Sequence, residues 1–295
     1  MLQGLTALEF YSGIGAFHQA AAAFGIEIAA AFDQDERANA TYARNWGLNP
    51  NPRNLDTISI SELPAADIWW LSPPCTPFTV RGKQRDLDDP RTRSLINLSS
   101  FIPRSAPPVV LLENVYGFEK SKTFERLSAL LKAASYALSL VKLCPTMFGV
   151  PMRRPRLYCI ATTSGASFVE KRLPQVTKQT IANFIDADYD PALEVDRQLV
   201  ERYARSWDII DPGNPEACAI CFTKGYWKCM KASGSFIQLS DQSVRRFSPK
   251  EIIRLLGFDD RFQFSPLPVM AQLQLVGNSV DVRAIKYLLS CLSFG

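Results

Sequence analysis

The sequence predicts an α/β fold: a Rossmann-like domain with a mostly parallel central sheet, joined to a smaller second domain. Three observations carry this. Short apolar runs alternate with helical stretches through the first half of the chain. Several runs end on a glycine turn, an acid or a polar cluster, at the strand ends where open parallel sheets bind ligands. The alternation fades after about Thr163.

Leu5 to Phe10 reads as the first strand, leading into Ser12-Gly13-Ile14-Gly15 and an alanine-rich helix that stops near Gly25. Ile26 to Phe32 is a second strand ending on Asp33, followed by a helix from about Asp35 to Trp46. Gly47, Pro50 and Pro52 break the chain, and a candidate third strand precedes Asp56. Ala66–Leu71 and Val109–Leu112 are further strands. From Ser164 to Pro215 the chain is polar and poorly periodic; aromatic and basic residues then dominate to about Phe264. After Pro266 and Pro268, Met270 to Leu292 again reads as helical. The expected division is therefore a larger sheet domain over 1–163, a smaller domain over 164–268, and a C-terminal helix in 269–295 that returns to the sheet.

Across 295 residues, 47% hydrophobic and 21% charged content is that of a folded protein rather than a disordered one. No apolar stretch reaches the ~18 residues of a membrane span; the longest candidate, Ala20 to Phe32, is broken by Gly25 and Glu27. The N-terminus lacks a basic segment leading into an apolar one, so a cytosolic location is expected, or a nuclear one in a eukaryote. The net charge of +4 is concentrated: Lys224, Lys228, Lys231, Arg245, Arg246 and Lys250 share their window with one acid, Asp241. Such a patch fits a polyanionic partner.

Seven cysteines, an odd number, point to reduced thiols. His18 is the only histidine, so Ser-His-Asp and Cys-His hydrolysis and multi-histidine zinc sites are disfavoured. It reads as a partly buried structural residue. Cys218 and Cys221, with Cys229 beyond, lack the second pair or histidine that would complete a zinc site. A packing role or a redox pair remains for them.

Phe10-Tyr11-Ser12-Gly13-Ile14-Gly15 is a strand, a glycine turn and a helix start, where the backbone can approach a ligand closely. Asp33 is placed to accept hydrogen bonds from a ribose diol, and Asp56 to meet an adenine amino group. These features indicate a nucleoside cofactor without choosing between NAD and S-adenosylmethionine. Ser72-Pro73-Pro74-Cys75 follows the Trp69-Trp70-Leu71 strand, and its prolines stiffen a loop that aims the thiol of a candidate nucleophile. Glu113 ends one of the most apolar strands, in surroundings that favour proton donation near neutral pH. Arg154 and Arg156, two apart, would project from one side of an extended segment toward a base, phosphate or carboxylate.

In this order, the Phe10–Gly15 turn, Ser72-Pro73-Pro74-Cys75, Glu113-Asn114-Val115, Arg154-Pro155-Arg156 and Val276-Gly277-Asn278-Ser279-Val280 resemble the C5-cytosine methyltransferases over essentially the whole chain. Cys221-Phe222-Thr223-Lys224-Gly225-Tyr226, Asp89-Pro90-Arg91-Thr92, the Pro-Pro-Cys-x-Pro-Phe-Thr loop and Phe247–Phe258 are most similar to the tRNA cytosine-5 methyltransferases once classed as DNA enzymes. That subfamily methylates cytosine 38 of aspartate tRNA, or of glutamate tRNA in some bacterial members. Thr76 stands where glutamine is usual, and Ala16 where a second glycine is common; these departures touch substrate fit and cofactor affinity.

The resemblance implies S-adenosylmethionine as cofactor, leaving as S-adenosylhomocysteine. It implies cofactor contacts by Phe10, Tyr11, Ser12, Gly13, Ile14, Gly15, Asp33, Gln34, Asp56, Thr57, Ile58, Pro74, Asn278, Ser279 and Val280. Cys75, Glu113, Arg154 and Arg156 would be catalytic. Thr79, Arg81, Lys83, Arg91, Thr92, Asn114, Cys221, Phe222, Thr223, Lys224 and Tyr226 would meet the substrate, with Asn114 also fixing the Pro-Pro-Cys loop. The expected partner is tRNA, with weak DNA binding, for a monomer that needs no membrane. Cytosine C5 is a poor nucleophile; addition of the Cys75 thiolate to C6 gives an enamine, with Glu113 acting at N3. Methylation of C5, loss of its proton and β-elimination of the thiol complete the cycle, while Arg154 and Arg156 hold the base and support the thiolate. Tyr226, Trp227 and Phe236 among lysines suit stacking on single-stranded RNA, or a core. A DNA cytosine-5 methyltransferase, an idle RNA-binding protein of the same fold and an NAD-dependent oxidoreductase are the rivals.

Overall fold

The computed structural model describes residues 2–75, 78, 86–228, 231–239, 241 and 243–295. Its first elements are β1 (Thr6–Phe10), α1 (Ala16–Ala22), β2 (Glu27–Phe32), α2 (Glu36–Trp46), β3 (Ile68–Leu71), α3 (Arg93–Ser105), β4 (Val109–Asn114), α4 (Lys122–Ala133) and β5 (Ala137–Leu143). After these come β6 (Met152–Arg153), β7 (Arg156–Thr162), β8 (Ala166–Phe168), α5 (Arg197–Tyr203), β9 (Asp208–Ile210) and β10 (Ala219–Ile220). The chain ends with β11 (Ser235–Gln238), β12 (Val244–Arg246), α6 (Pro249–Leu255), α7 (Val269–Asn278), α8 (Val282–Ser290) and β13 (Leu292–Phe294). It divides into two compact units, one of residues 1–143, 155–172 and 285–295 and the other of 144–154 and 173–284.

The first unit holds a six-stranded sheet in the order β2-β1-β3-β4-β7-β5. Its β1–β4 strands are parallel, and β7 runs antiparallel to both neighbours, β4 and β5. Side chains alternate across a strand, so Trp69 and Trp70 serve opposite faces. Trp69 meets Phe10 edge to face at 5.2 Å, and Phe10 stacks on Phe32, within a core that also takes Leu98 and Ile102 from α3 and Leu127 and Leu131 from α4. Trp70 stacks on Phe17 of α1 at 5.1 Å. Asp35 caps α2 by accepting from the Arg37 amide, and Gly47 ends it in the left-handed region. The expected strand before Asp56 does not form: only one bridge, Phe32 to Asn51, joins the sheet, and turns follow it. A short β8–β13 pair completes this unit.

The second unit pairs β6 with β10 and sets β11 between β12 and β9. A buried Arg245–Glu251 pair, with two contacts of 2.9 Å, sits at the start of α6. Glu251 also accepts from the Ser248 amide at the helix N-terminus, so one carboxylate satisfies a cap and a guanidinium together. The units divide differently from the expected 163/164 and 268/269 boundaries: 144–154 and 269–284 both belong to the second unit. The anticipated single C-terminal helix is two, α7 and α8, because the chain turns extended at Ser279. Asp281 then restarts it by accepting from the Arg283 and Ala284 amides. Among the described residues no helix is long and apolar enough to cross a membrane.

Candidate active site

β1 ends in a turn that holds Tyr11, Gly13 and Gly15 at positive φ. Tyr11, at +57°, pays for this conformation with two anchors: its hydroxyl donates to Ser94 Oγ at 2.9 Å, and its carbonyl accepts from Ser72 Oγ at 3.1 Å. Burial lifts the Tyr11 phenol far above the ordinary tyrosine range, so it stays a neutral donor. Asp33, at the end of β2, accepts from the Gly13 amide at 2.8 Å and the Asp35 amide at 2.9 Å. Burial raises its carboxyl pKa while those amides oppose the rise. Gln34 is exposed beside it.

This turn fits a nucleoside cofactor on its own chemistry. Ser12 Oγ is buried with no hydrogen-bond partner, an orphaned polar atom beside a half-buried carboxylate. Asp56 and Thr57 are exposed on a turn, whereas the Ile58 side chain is buried, which leaves its backbone as the polar part. Asn278, Ser279 and Val280 lie in the second unit, where Asn278 is exposed and Ser279 Oγ is another buried hydroxyl without a partner.

The thiol loop leaves the sheet at β3. Asn114, fully buried at the end of β4, donates from Nδ2 to the Pro73 carbonyl at 3.2 Å, and its Oδ1 accepts from the Val115 amide. Ser72 ties the same loop to the glycine turn through Tyr11. Pro74 is exposed and Cys75 is half-buried, with its carbonyl accepting from the Phe78 amide. Asn114 was expected both against substrate and as a support of the loop; its complete burial and its bond to Pro73 fit the second role.

Glu113 and Asn114 stand inside β4, opposite Tyr158 and Leu157 of β7. Arg156, the first residue of β7, donates from Nε to Glu113 Oε1 at 3.0 Å, with both side chains largely buried. Arg91, half exposed, is held by Asp89 through contacts of 2.8 and 2.6 Å, and its charge lies within electrostatic range of Cys75. Thr92 is buried and donates its hydroxyl to the Asp89 carbonyl, so it braces this turn rather than presenting itself to a substrate. Thr79, Arg81 and Lys83, expected at the substrate, lie outside the described residues.

Arg154 departs most from expectation. It does not share a strand with Arg156, because β6 ends at Arg153, β7 begins at Arg156, and the two units part between Arg154 and Pro155. Its guanidinium is 4% exposed and donates to Cys221 Sγ at 3.1 Å, the Phe222 carbonyl at 2.9 Å, and the Gly277 and Ser279 carbonyls. It clasps the Cys221-Phe222 segment to the end of α7 through its two terminal nitrogens, while its buried Nε has no hydrogen-bond partner. Gly277 makes the clasp possible, since a Cβ there would stand 2.5 Å from the Thr223 carbonyl carbon.

The aromatic and basic segment is also mostly interior. Phe222, Tyr226 and Phe236 are buried against one another, and the Tyr226 hydroxyl donates to the Ser235 carbonyl. They cannot stack on a base without unpacking this unit. Arg245 is consumed by Glu251, and Arg246 stacks over Trp227 at 4.6 Å. Thr223 is half-buried; Lys224, Lys228, Lys231 and Lys250 are the exposed basic residues of that window. The sequence assigns no role to Ser72, Ser94 or Asp89, although Ser72 and Asp89 lie inside the Ser72-Pro73-Pro74-Cys75 and Asp89-Pro90-Arg91-Thr92 motifs.

The family model for C-5 cytosine-specific DNA methylases matches residues 5–293. A tRNA (cytosine(38)-C(5))-methyltransferase of Schizosaccharomyces pombe is 30% identical over 98% of this chain and 96% of its own. A DNA (cytosine-5)-methyltransferase of Dictyostelium discoideum is 28% identical over 99% and 95%. The crystal structure of the S. pombe Dnmt2 methyltransferase superposes with a TM-score of 0.86 at 28% identity, covering 97% of each chain. With its glycine turn, thiol loop and Glu113–Arg156 pair around one sheet and a family match through both units, this chain belongs to the C-5 cytosine methyltransferase family.

Proposed function

We propose that the protein methylates C5 of a cytosine in the anticodon loop of tRNA, at position 38 of aspartate tRNA or of glutamate tRNA. The observation that carries this reading is the Pro73-Pro74-Cys75 loop, tied by Asn114 and Ser72 to the sheet edge that bears the Glu113–Arg156 pair. The S. pombe relative's activity at cytosine 38 supports the choice of tRNA. A cytosine in a single-stranded loop also costs less to unstack than one in a duplex.

Cys75 supplies the nucleophile: its thiolate forms a bond to C6, and the ring electrons move toward C5. Glu113 acts at N3 as that charge develops, held in orientation by Arg156. S-adenosylmethionine, when bound, supplies the methyl group that C5 accepts, in a site formed by the Tyr11–Gly15 turn and Asp33. Loss of the C5 proton then returns the C6–S electron pair to sulfur and frees Cys75. None of these steps needs a histidine.

Tritiated methyl transfer to tRNA and to duplex DNA tests the reading. Label is expected in tRNA, lost in the Cys75→Ala protein, and trapped as a covalent adduct by 5-fluorocytosine-containing tRNA. Label in DNA alone would favour the second reading, DNA methylation, which the Dictyostelium relative's name supports. Label in neither, with wild-type protein and cofactor, overturns both.

A further inference from the structure

Behind the cofactor turn lies a chain of polar and aromatic groups that the reaction does not touch. Glu9, in the middle of β1, is completely buried on the face that carries Trp70 and α1. Tyr42 of α2, also completely buried, donates its hydroxyl to Glu9 Oε2 at 2.8 Å, and the Tyr42 hydroxyl oxygen lies 2.8 Å from His18 Nδ1. His18 stacks flat on Trp46, with centroids 4.8 Å apart at 16°. Trp46 in turn donates from its indole nitrogen to the Ile14 carbonyl at 3.3 Å, within the turn itself.

The turn and Trp46 are fitted to one another. Gly15 has φ +86°, and a Cβ there would stand 2.1 Å from Trp46 Nε1. The indole therefore fills the space directly against Gly15 while bonding the carbonyl before it. The left-handed conformation of Gly15 and the hydrogen bond of Ile14 are held by one ring, at the last residue of α2. That ring is held by the only histidine of the chain, and the histidine by Tyr42 and Glu9. A buried hydrogen-bonded network of this kind specifies one arrangement where a purely apolar contact would tolerate several.

We propose that Trp46 is a positioning residue for the cofactor site: seated on His18 through the Tyr42–Glu9 pair, it sets the Gly13–Gly15 turn in the shape that receives S-adenosylmethionine. The inference rests on the proposed cofactor reading. Trp46 meets no reacting atom; it acts through Ile14 and Gly15. A residue that merely stabilised the fold would lower the apparent kcat in step with the folded fraction and leave both KM values and the cofactor affinity of the folded molecules unchanged. A positioning residue for the turn instead weakens cofactor binding while leaving turnover at saturating cofactor in place.

The test measures S-adenosylhomocysteine binding by calorimetry, and KM for S-adenosylmethionine and for tRNA, in wild type, Trp46→Phe and Trp46→Leu. Trp46→Phe keeps an aromatic ring on His18 and removes the indole donor. It should weaken S-adenosylhomocysteine binding and raise the cofactor KM about five- to tenfold, with kcat and the tRNA KM within twofold of wild type. Trp46→Leu also removes the stack and should weaken binding further. Unchanged binding in Trp46→Phe overturns the proposal, and so does a lowered kcat with both KM values unchanged. Should the Leu variant fail to fold, the Phe variant alone decides. Wild-type protein that does not bind S-adenosylhomocysteine would instead overturn the cofactor reading on which this rests.

Discussion

Arg156 and Glu113 form an ion pair between antiparallel neighbours of the sheet, Nε to Oε1 at 3.0 Å, with 13% and 8% of their side-chain surfaces exposed. A carboxylate buried this far requires an opposite charge, and Arg156 supplies it from the first residue of β7. Removing the cation alone leaves an uncompensated acid. Arg156→Ala is therefore expected to destabilise the protein by about 3–5 kcal/mol and to lower methyl transfer severely. Glu113→Gln leaves the Arg156 cation without its counter-charge but keeps the shape and an oxygen to accept from it, so it should destabilise by less than Arg156→Ala while kcat falls about 10²- to 10⁴-fold. Thermal denaturation beside methyl-transfer kinetics separates the two outcomes. Equal losses of stability would contradict this account.

Asn114 reaches the catalytic loop by one hydrogen bond to the Pro73 carbonyl, and it is completely buried. Asn114→Ala leaves that carbonyl unpaired, at a cost of about 1–3 kcal/mol, and frees the loop that aims Cys75. The expected result is a kcat reduced roughly tenfold or more, with S-adenosylhomocysteine binding retained, because Asp33 and the glycine turn are unchanged. Single-turnover methylation and calorimetry on the same variant check both halves. A loss of cofactor binding equal to the loss of rate would mean that Asn114 supports the whole sheet edge.

Gly277 sits where α7 passes the Cys221-Phe222-Thr223 segment, and a Cβ there would lie 2.5 Å from one backbone atom and 2.6 Å from another. Backbone cannot swing aside as a side chain can. Gly277→Ala should therefore push the segment off Arg154 and destabilise the protein by about 1–3 kcal/mol, read by chemical denaturation. Arg154→Lys replaces a fork of donors with one ammonium and should cost a similar amount, since four acceptors now share it. A double variant that loses less than the sum of the two would show that both act on one clasp.

The residues legible in the sequence are those that end apolar runs. Gly15, Asp33 and Cys75 each follow a strand and Glu113 lies near the end of one, and strand ends of a parallel sheet are where a ligand can be reached. The second unit was not legible for the same physical reason inverted. Phe222, Tyr226 and Phe236 interleave with lysines, a pattern shared by an RNA-stacking surface and by the core of a small domain. Only the tertiary partner decides, and here it is their own rings and the Ser235 carbonyl. Arg245 likewise counted as surface charge until Glu251 was found against it. Arg154 was misplaced because strand alternation was carried through Pro155, where the strand is broken. Trp46 gave no signal at all, since nothing in a helix's last residue announces which loop its ring will meet.

Glu9 and His18 give the fold a pH dependence whose sign can be worked out. Burial raises the Glu9 carboxyl pKa from 4.5 to about 8, against hydrogen bonding from Tyr42 and with the Asp33 charge adding to the rise. The folded protein thus holds a proton that the unfolded chain releases, and this contribution is present below about 4.5 and is lost as pH climbs through 8. Burial lowers the His18 pKa from 6.5 to about 4, so its contribution is present above 6.5 and is lost as pH falls through 4. Between about 4.5 and 6.5 the two slopes oppose each other; from 6.5 to 8 only Glu9 acts, and stability should decline. Glu9→Gln removes the alkaline decline and leaves the acid one, so the difference between wild type and variant should change steadily from pH 5 to 8 and then level off. Chemical denaturation at half-unit pH steps measures it. A difference that is flat across that window would show that Glu9 ionises as an ordinary carboxylate despite its burial.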